Sequence, residues 1–247
     1  MRRSWPVLLA LVGLVGCPGS PEASFPEVAT PADDEVLATL ERRTAVRALY
    51  AELVIAYDGR ERSGAFDAVF YWQAPSSIRM TAFKDVVIET RHLFDLVLAP
   101  DRYRLEHEAD GAPSVDAGPA AAFAGAHPRF SAFHWIREGY ALPGRPVGPA
   151  RVVRDGGRLR VEGRLSSGAP VVWTLDPATL RVDSAEVGAE PGRRLTLTYS
   201  EYRTERGFYV PGRVVLEDSL GPESVDARLD AFELDPALEP WVFETES

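Results

Sequence analysis

Apolar residues recur at every second position over most of the chain, the signature of strands with one buried face. Leu49, Ala51, Leu53 and Ile55 share one side of such a segment, and Asp58-Gly59 supplies a turn after it. Phe66, Ala68, Phe70 and Trp72 then alternate with Asp67, Val69, Tyr71 and Gln73 as far as Pro75. A third strand is predicted at 78–83, with others near 86–98 and 103–108. The period resumes at 159–165, 171–175, 180–187, 195–199, 208–216 and 225–234. In the last of these, Val225, Ala227, Leu229 and Ala231 alternate regularly with Asp226, Arg228 and Asp230. About eleven consecutive strands with one apolar face predict a mainly β fold, an incomplete (half-open) antiparallel β-barrel.

Two stretches depart from period two. Asp33 and Asp34 precede Val36, Leu37 and Leu40, with Arg42, Arg43 and Arg47 later, which predicts a capped N-terminal helix over 34–47. Residues 109–149 are rich in Ala, Gly and Pro; within them Phe123 and residues 130–140 read as short helices. Phe130, Phe133, Trp135 and Ile136 are too apolar for a solvated loop. They are expected to pack on the open side of the barrel as a helical plug or movable lid. Gly118-Pro119 and Pro143-Gly144 offer hinge or stop points on either side.

The chain opens on Arg2-Arg3 and an apolar run over 7–16. Ten helical residues span about 15 Å, half of the ~30 Å of bilayer hydrocarbon, so the run is a secretory signal and not a membrane span. Leu14-Val15-Gly16-Cys17 resembles a bacterial lipobox. That likeness implies cleavage before Cys17 and acylation there, a covalent lipid and no other cofactor. The alternative is an ordinary signal peptide with an incidental cysteine. Several acyl chains on one residue anchor firmly, at about 0.8 kcal/mol for each buried CH₂. Pro18 in place of Asp favours the outer membrane, by the sorting rule of enteric bacteria. Pro18, Pro21, Pro26 and Pro31 then make an extended tether. The division is therefore 1–16 signal peptide, 17–33 lipidated cysteine and tether, 34–247 the β domain. The expected place is the periplasmic side of the outer membrane of a Gram-negative bacterium.

Composition narrows the functions. The chain of 247 residues has a net charge of −10, moving to −12 once residues 1–16 take Arg2 and Arg3 with them. Such an acidic balance excludes a phosphate-tracking surface, so no nucleic-acid partner is expected. One cysteine excludes a disulfide framework, and four histidines leave little material for a metal centre. Lys84 is the single lysine, and the absence of asparagine removes any N-glycosylation acceptor. No G-x-S-x-G, H-E-x-x-H, P-loop or S-x-x-K motif is present, so an enzyme is not expected. His107-Glu108 lacks a second histidine at ligand spacing, His127 and His134 stand seven apart, and Glu106 and Glu108 share a solvated strand face.

The order of elements resembles the LolA/LolB superfamily of lipoprotein carriers and outer-membrane lipoprotein receptors. The likeness is carried by Tyr71-Trp72-Gln73-Ala74-Pro75-Ser76-Ser77-Ile78-Arg79-Met80 and by Trp135-Ile136-Arg137-Glu138-Gly139 with Pro143. It continues through Tyr199-Ser200-Glu201-Tyr202, Tyr209-Val210-Pro211-Gly212-Arg213-Val214-Val215-Leu216, and Leu234-Asp235-Pro236-Ala237-Leu238 with Phe243. In the family Asn commonly stands where this chain has Asp235. The resemblance spans about residues 34–243 and implies an incomplete barrel whose helices plug an apolar cavity. With the lipobox it implies a membrane-anchored, receptor-like monomer whose cargo is lipid or acylated protein.

The expected cavity wall is Phe70, Trp72, Ile78, Met80, Phe94, Leu96, Leu98, Trp173, Leu197 and Tyr199. The same residues equally suit a filled core, and an envelope lipoprotein that binds a partner with its outer surface is the second function class. Phe83, Val86 and Val87 lie where LolB-type receptors carry a protruding apolar loop; Lys84 and Asp85 between them suit an ordinary hairpin turn.

Overall fold

The computed structural model describes residues 31–59, 63–86, 89–109, 111–136, 142–155, 157–220 and 224–244. The signal peptide, Cys17 and the tether up to residue 30 therefore lie outside the described residues. The predicted N-terminal helix forms as α1 (Asp33–Arg42) and tightens into a 3-10 turn at Arg43–Ala45. Ala32 takes the N-cap position with no side-chain cap, so the acids do not cap as predicted; Asp33, Asp34 and Glu35 fill the first turn. There they complement the positive end of the helix dipole.

The strands are β1 (Ala48–Asp58), β2 (Ser63–Gln73), β3 (Ser77–Val86), β4 (Glu89–Leu98), β5 (Arg102–Ala109), β6 (Ala112–Pro119), β7 (Arg151–Asp155) and β8 (Arg158–Arg164). They continue with β9 (Pro170–Leu175), β10 (Val182–Glu190), β11 (Arg193–Ser200), β12 (Arg203–Glu205), β13 (Phe208–Val210), β14 (Arg213–Asp218) and β15 (Ser224–Leu234). Thirteen form one antiparallel sheet in the order β6-β5-β4-β3-β2-β1-β15-β14-β11-β10-β9-β8-β7, and β12 with β13 makes a separate ribbon. Among the described residues the sheet is open: β6 and β7 are its edges and are not paired to each other. The predicted count of about eleven strands is thereby corrected to thirteen in the sheet.

Each strand missing from the prediction has a physical reason. β6 reads Ala-Pro-Ser-Val-Asp-Ala-Gly-Pro, poor in strand formers, and its prolines lack the N–H that an interior strand must donate. On an edge that lack costs little. β7 has only Val152 and Val153 between charged residues. The predicted strand over 208–216 is broken, because the β12–β13 ribbon folds back onto the sheet. Glu201 turns at φ +56, and a Cβ on Gly212 would stand 2.5 Å from the Glu201 carbonyl oxygen. Only glycine fits there.

The alternation on β15 also slips. Leu53 pairs with Leu229 but Glu52 pairs with Ala231, so Asp230 is an extra residue in the ladder. Beyond it Ala231 is exposed and Phe232 packs on the core. Next to this seam Asp235, at φ +51, accepts hydrogen bonds from the backbone N–H groups of Arg47 (2.6 Å) and Ala48 (3.1 Å). A left-handed position that needs a short acceptor side chain suits Asp or Asn.

The inward faces of β1–β5, β8–β11, β14 and β15 feed a single hydrophobic cluster that also takes Val36 and Leu40 of α1. One cluster fed by strands so far apart in the sheet requires the sheet to curl around it. Residues 120–150 join the two open edges. They carry 3-10 turns at Ala120–Ala122 and Pro128–Phe130, helix α2 (Phe123–Ala126) and helix α3 (Ser131–Ile136).

Candidate functional site

All ten predicted wall residues face inward and belong to the central cluster; the most accessible, Phe94, is 8% exposed. Phe70 and Trp72 come from β2, Ile78 and Met80 from β3, and Phe94, Leu96 and Leu98 from β4. Trp173 stands on β9, with Leu197 and Tyr199 on β11. Period-two spacing puts them all on the same side of the sheet. Two hollows formed by described residues, of about 420 and 360 Å³, lie elsewhere, one beside Val147 and Arg151 and the other beside Pro170 and Arg193. Neither is lined by any of the ten.

The face is covered by residues 120–136. Phe123 is fully buried against Tyr103 at 5.1 Å between ring centroids. Phe130 meets Phe94 edge-on at 5.0 Å, and Phe133 and Trp135 pack half-buried on the cluster. Ile136 ends α3 as a backbone position; its side chain is outside the described residues. The adjacent residue Ser131 is fully buried and accepts a 2.9 Å hydrogen bond from Arg193 Nη1 on β11. β4 and β11 are six places apart in the sheet order, roughly 29 Å across a flat sheet at ~4.8 Å per strand. Two neighbouring residues touch both, so the segment spans a narrow mouth between curled walls.

Polar groups hold it there. Asp218 fixes Arg193 through Nε at 3.0 Å and Nη2 at 2.6 Å. Ser131 Oγ donates to the Pro128 carbonyl at 2.6 Å, and Ser167 Oγ donates to the Trp135 carbonyl at 3.0 Å. The indole N–H groups of Trp72 and Trp135 and the Nε2 of His127 are buried without a hydrogen-bond partner. Burial is the main cause that holds the His127 imidazole below its ordinary range, with Asp116 opposing and His107 adding to the shift.

The chain then returns through Leu142, Pro143, Gly144 and Arg145, all buried. Arg43 donates through Nη1 to the Pro143 carbonyl and through Nη2 to the Leu180 carbonyl at 3.2 Å. Burial lowers its guanidinium to about 10, still charged at neutral pH. Arg145 donates to the Val46 carbonyl at 2.6 Å and lies 4.7 Å over the Trp72 ring. Gly144 has φ +77, and a Cβ on it would approach Arg43 Nη1 to 2.5 Å and Val182 Cγ2 to 2.8 Å. Pro143-Gly144 is thus a tightly packed stop.

The predicted loop at Phe83 and Val86 is corrected: both lie in β3, where Phe83 pairs with His92 and Val86 with Glu89. The ladder simply runs further than the sequence suggests. Val87 is outside the described residues. Ser131, Ser167, Arg193 and Asp218 escaped sequence reasoning and Arg43 was read only as a helix residue, since hydroxyls and charged side chains carry no signal until the fold brings them together.

No family model and no curated protein sequence matches this chain. Solved structures with a similar fold exist. A LolA superfamily protein from Nitrosomonas europaea has a TM-score of 0.54 and 13% identity, over 87% of this chain and 98% of that one. A DUF1329 family protein from Desulfovibrio piger has a TM-score of 0.53 and 9% identity, over 85% and 94%. A domain from Vibrio parahaemolyticus assigned to outer-membrane lipoprotein sorting has a TM-score of 0.52 and 11% identity, over 85% and 95%.

Proposed function

From a chain with the LolA/LolB-like fold, we propose a bacterial envelope protein that binds the acyl chains of lipids or lipoproteins between its curled apolar face and residues 120–136. Cys17 anchors it by a covalent lipid on the periplasmic side of the outer membrane. It acts by binding, without a catalytic step. The observation that carries the reading is the pair Phe130 and Ser131, one packed on β4 and the other bonded to β11. An apolar face closed by a short, half-buried segment on a few hydroxyl bonds is a binding site whose cover can be displaced at modest cost. Lipid binding then requires displacement, because the ten wall residues are packed in the covered state. The same close packing favours a second reading, an interaction lipoprotein with a permanently filled interior.

The test is mass spectrometry of lipids that co-purify with the full-length protein, beside a variant carrying an engineered disulfide between α3 and the β8–β9 hairpin. Acyl lipid on the wild type and its loss from the oxidised variant support the site. Equal lipid on both, or none on either, sinks it in favour of the filled interior.

A further inference from the structure

We infer that acid releases residues 120–136 from the edge of the sheet at β5 and β6, and that His127 is the group whose protonation does so. His127 follows α2 directly, and its half-buried imidazole lies against three aromatic rings. Ring centroids of Tyr103, Phe123 and His107 lie at 5.3, 5.5 and 6.3 Å. Its Nε2 is buried and has no partner. A neutral imidazole tolerates this, because an unprotonated ring nitrogen against aromatic edges forgoes one weak bond. An imidazolium does not, since it must bury an N–H⁺ that has no acceptor.

The surrounding charges decide the balance. β5 presents Tyr103 and His107 to the ring and β6 presents Asp116, while α2 has no titratable residue. Alternation along β5 sends Arg104, Glu106 and Glu108 to the opposite face. Asp116 favours the charged ring, but its side chain is 47% exposed and its Oδ2 is already 3.2 Å from His107 Nε2. His107 has an acceptor at each nitrogen, the Glu108 carbonyl at 3.3 Å and Asp116. The Nε2 of His127 faces no such acceptor. The dipole of α2 adds little, because the helix has only four residues.

The sign follows from linkage. His127 holds its proton more weakly when docked, so docking is fully favoured above the ordinary histidine range. That favour is lost as pH falls through the lower, docked value. Release itself stands on geometry alone; its consequence, that acid uncovers the apolar face for acyl chains, rests on the proposed lipid site.

Hydrogen exchange of the full-length protein in lipid nanodiscs, corrected for intrinsic rates, reads the release directly, with no measurement of lipid binding. Between pH 7.5 and 5.5 the amides of 123–135 should speed up severalfold relative to those of β1. His127→Leu should remove that response, and His127→Gln, neutral at every pH, should do so through a polar side chain. Asp116→Asn should move the response to lower pH. A wild type whose 123–135 amides follow β1, or His127 variants that respond as the wild type does, would overturn the inference. Neither result bears on whether lipid binds, which the co-purification experiment reads separately.

Discussion

The connection between the sheet edges meets the apolar face twice, and the two meetings differ. The return crossing, Leu142 to Arg145, is buried at every residue, with a glycine that nothing larger can replace and carbonyls held by a buried guanidinium. The outward crossing buries Phe123 and Ser131 but leaves Phe130, Phe133 and Trp135 half-buried. Its polar contacts pass through single hydroxyls, each worth about 1 kcal/mol once exchange with water is counted. One crossing is a clamp and the other a cover. The proposed lipid site needs the cover to part while the clamp holds.

The clamp should fail hardest. Gly144→Ala meets both a left-handed backbone and three atoms within 2.9 Å, so it should destabilise the fold by about 3 kcal/mol in urea denaturation. Arg43→Met should cost about 1.5 kcal/mol in the same measurement. It strands the Pro143 and Leu180 carbonyls but recovers part of the desolvation of a buried charge. Ser131→Ala should cost only about 1 kcal/mol globally. Its larger mark should be local, as faster amide exchange in 123–135 with β1 unchanged. If Ser131→Ala destabilised the protein as much as Gly144→Ala, clamp and cover would be one unit.

The smallest effect separates the crossings by pH. Asp176, in the turn that presents Leu180 to Arg43, is held below the ordinary carboxylate range by the Thr179 hydroxyl, then the Ala178 N–H and Arg181. A carboxylate lowered by folding stabilises above its unfolded value and loses that contribution as pH falls through the lower, folded one. Acid titration followed by circular dichroism should thus loosen the clamp only below about pH 4, well under the histidine range of the cover. Asp176→Asn should flatten that step.

Strands with β-branched and aromatic inward faces were legible in the sequence because burial enforces their period. Phe66 to Trp72 and Leu159 to Val161 fall where the alternation puts them. β6 was not legible, because an edge strand needs fewer donors and tolerates Pro113 and Pro119. The ten wall residues followed from face assignment alone. What holds the cover was hidden, since Ser131 and Arg193 stand 62 positions apart and their bond exists only once the sheet curls. His127 was visible as a residue and not as a half-buried ring with an enclosed Nε2, because its surroundings come from β5, β6 and α2 together.

β1 and β15, the first and last strands, pair in the middle of the sheet, Leu49 opposite Leu234. The β1–β6 wing and the β7–β11 wing can each zip up from neighbouring hairpins, but the seam between the wings cannot close until the final strand has been delivered. During synthesis from the N-terminus, that order keeps the central seam open until β15 has emerged. Completion of the fold is thereby timed to the arrival of the strand that joins the two wings.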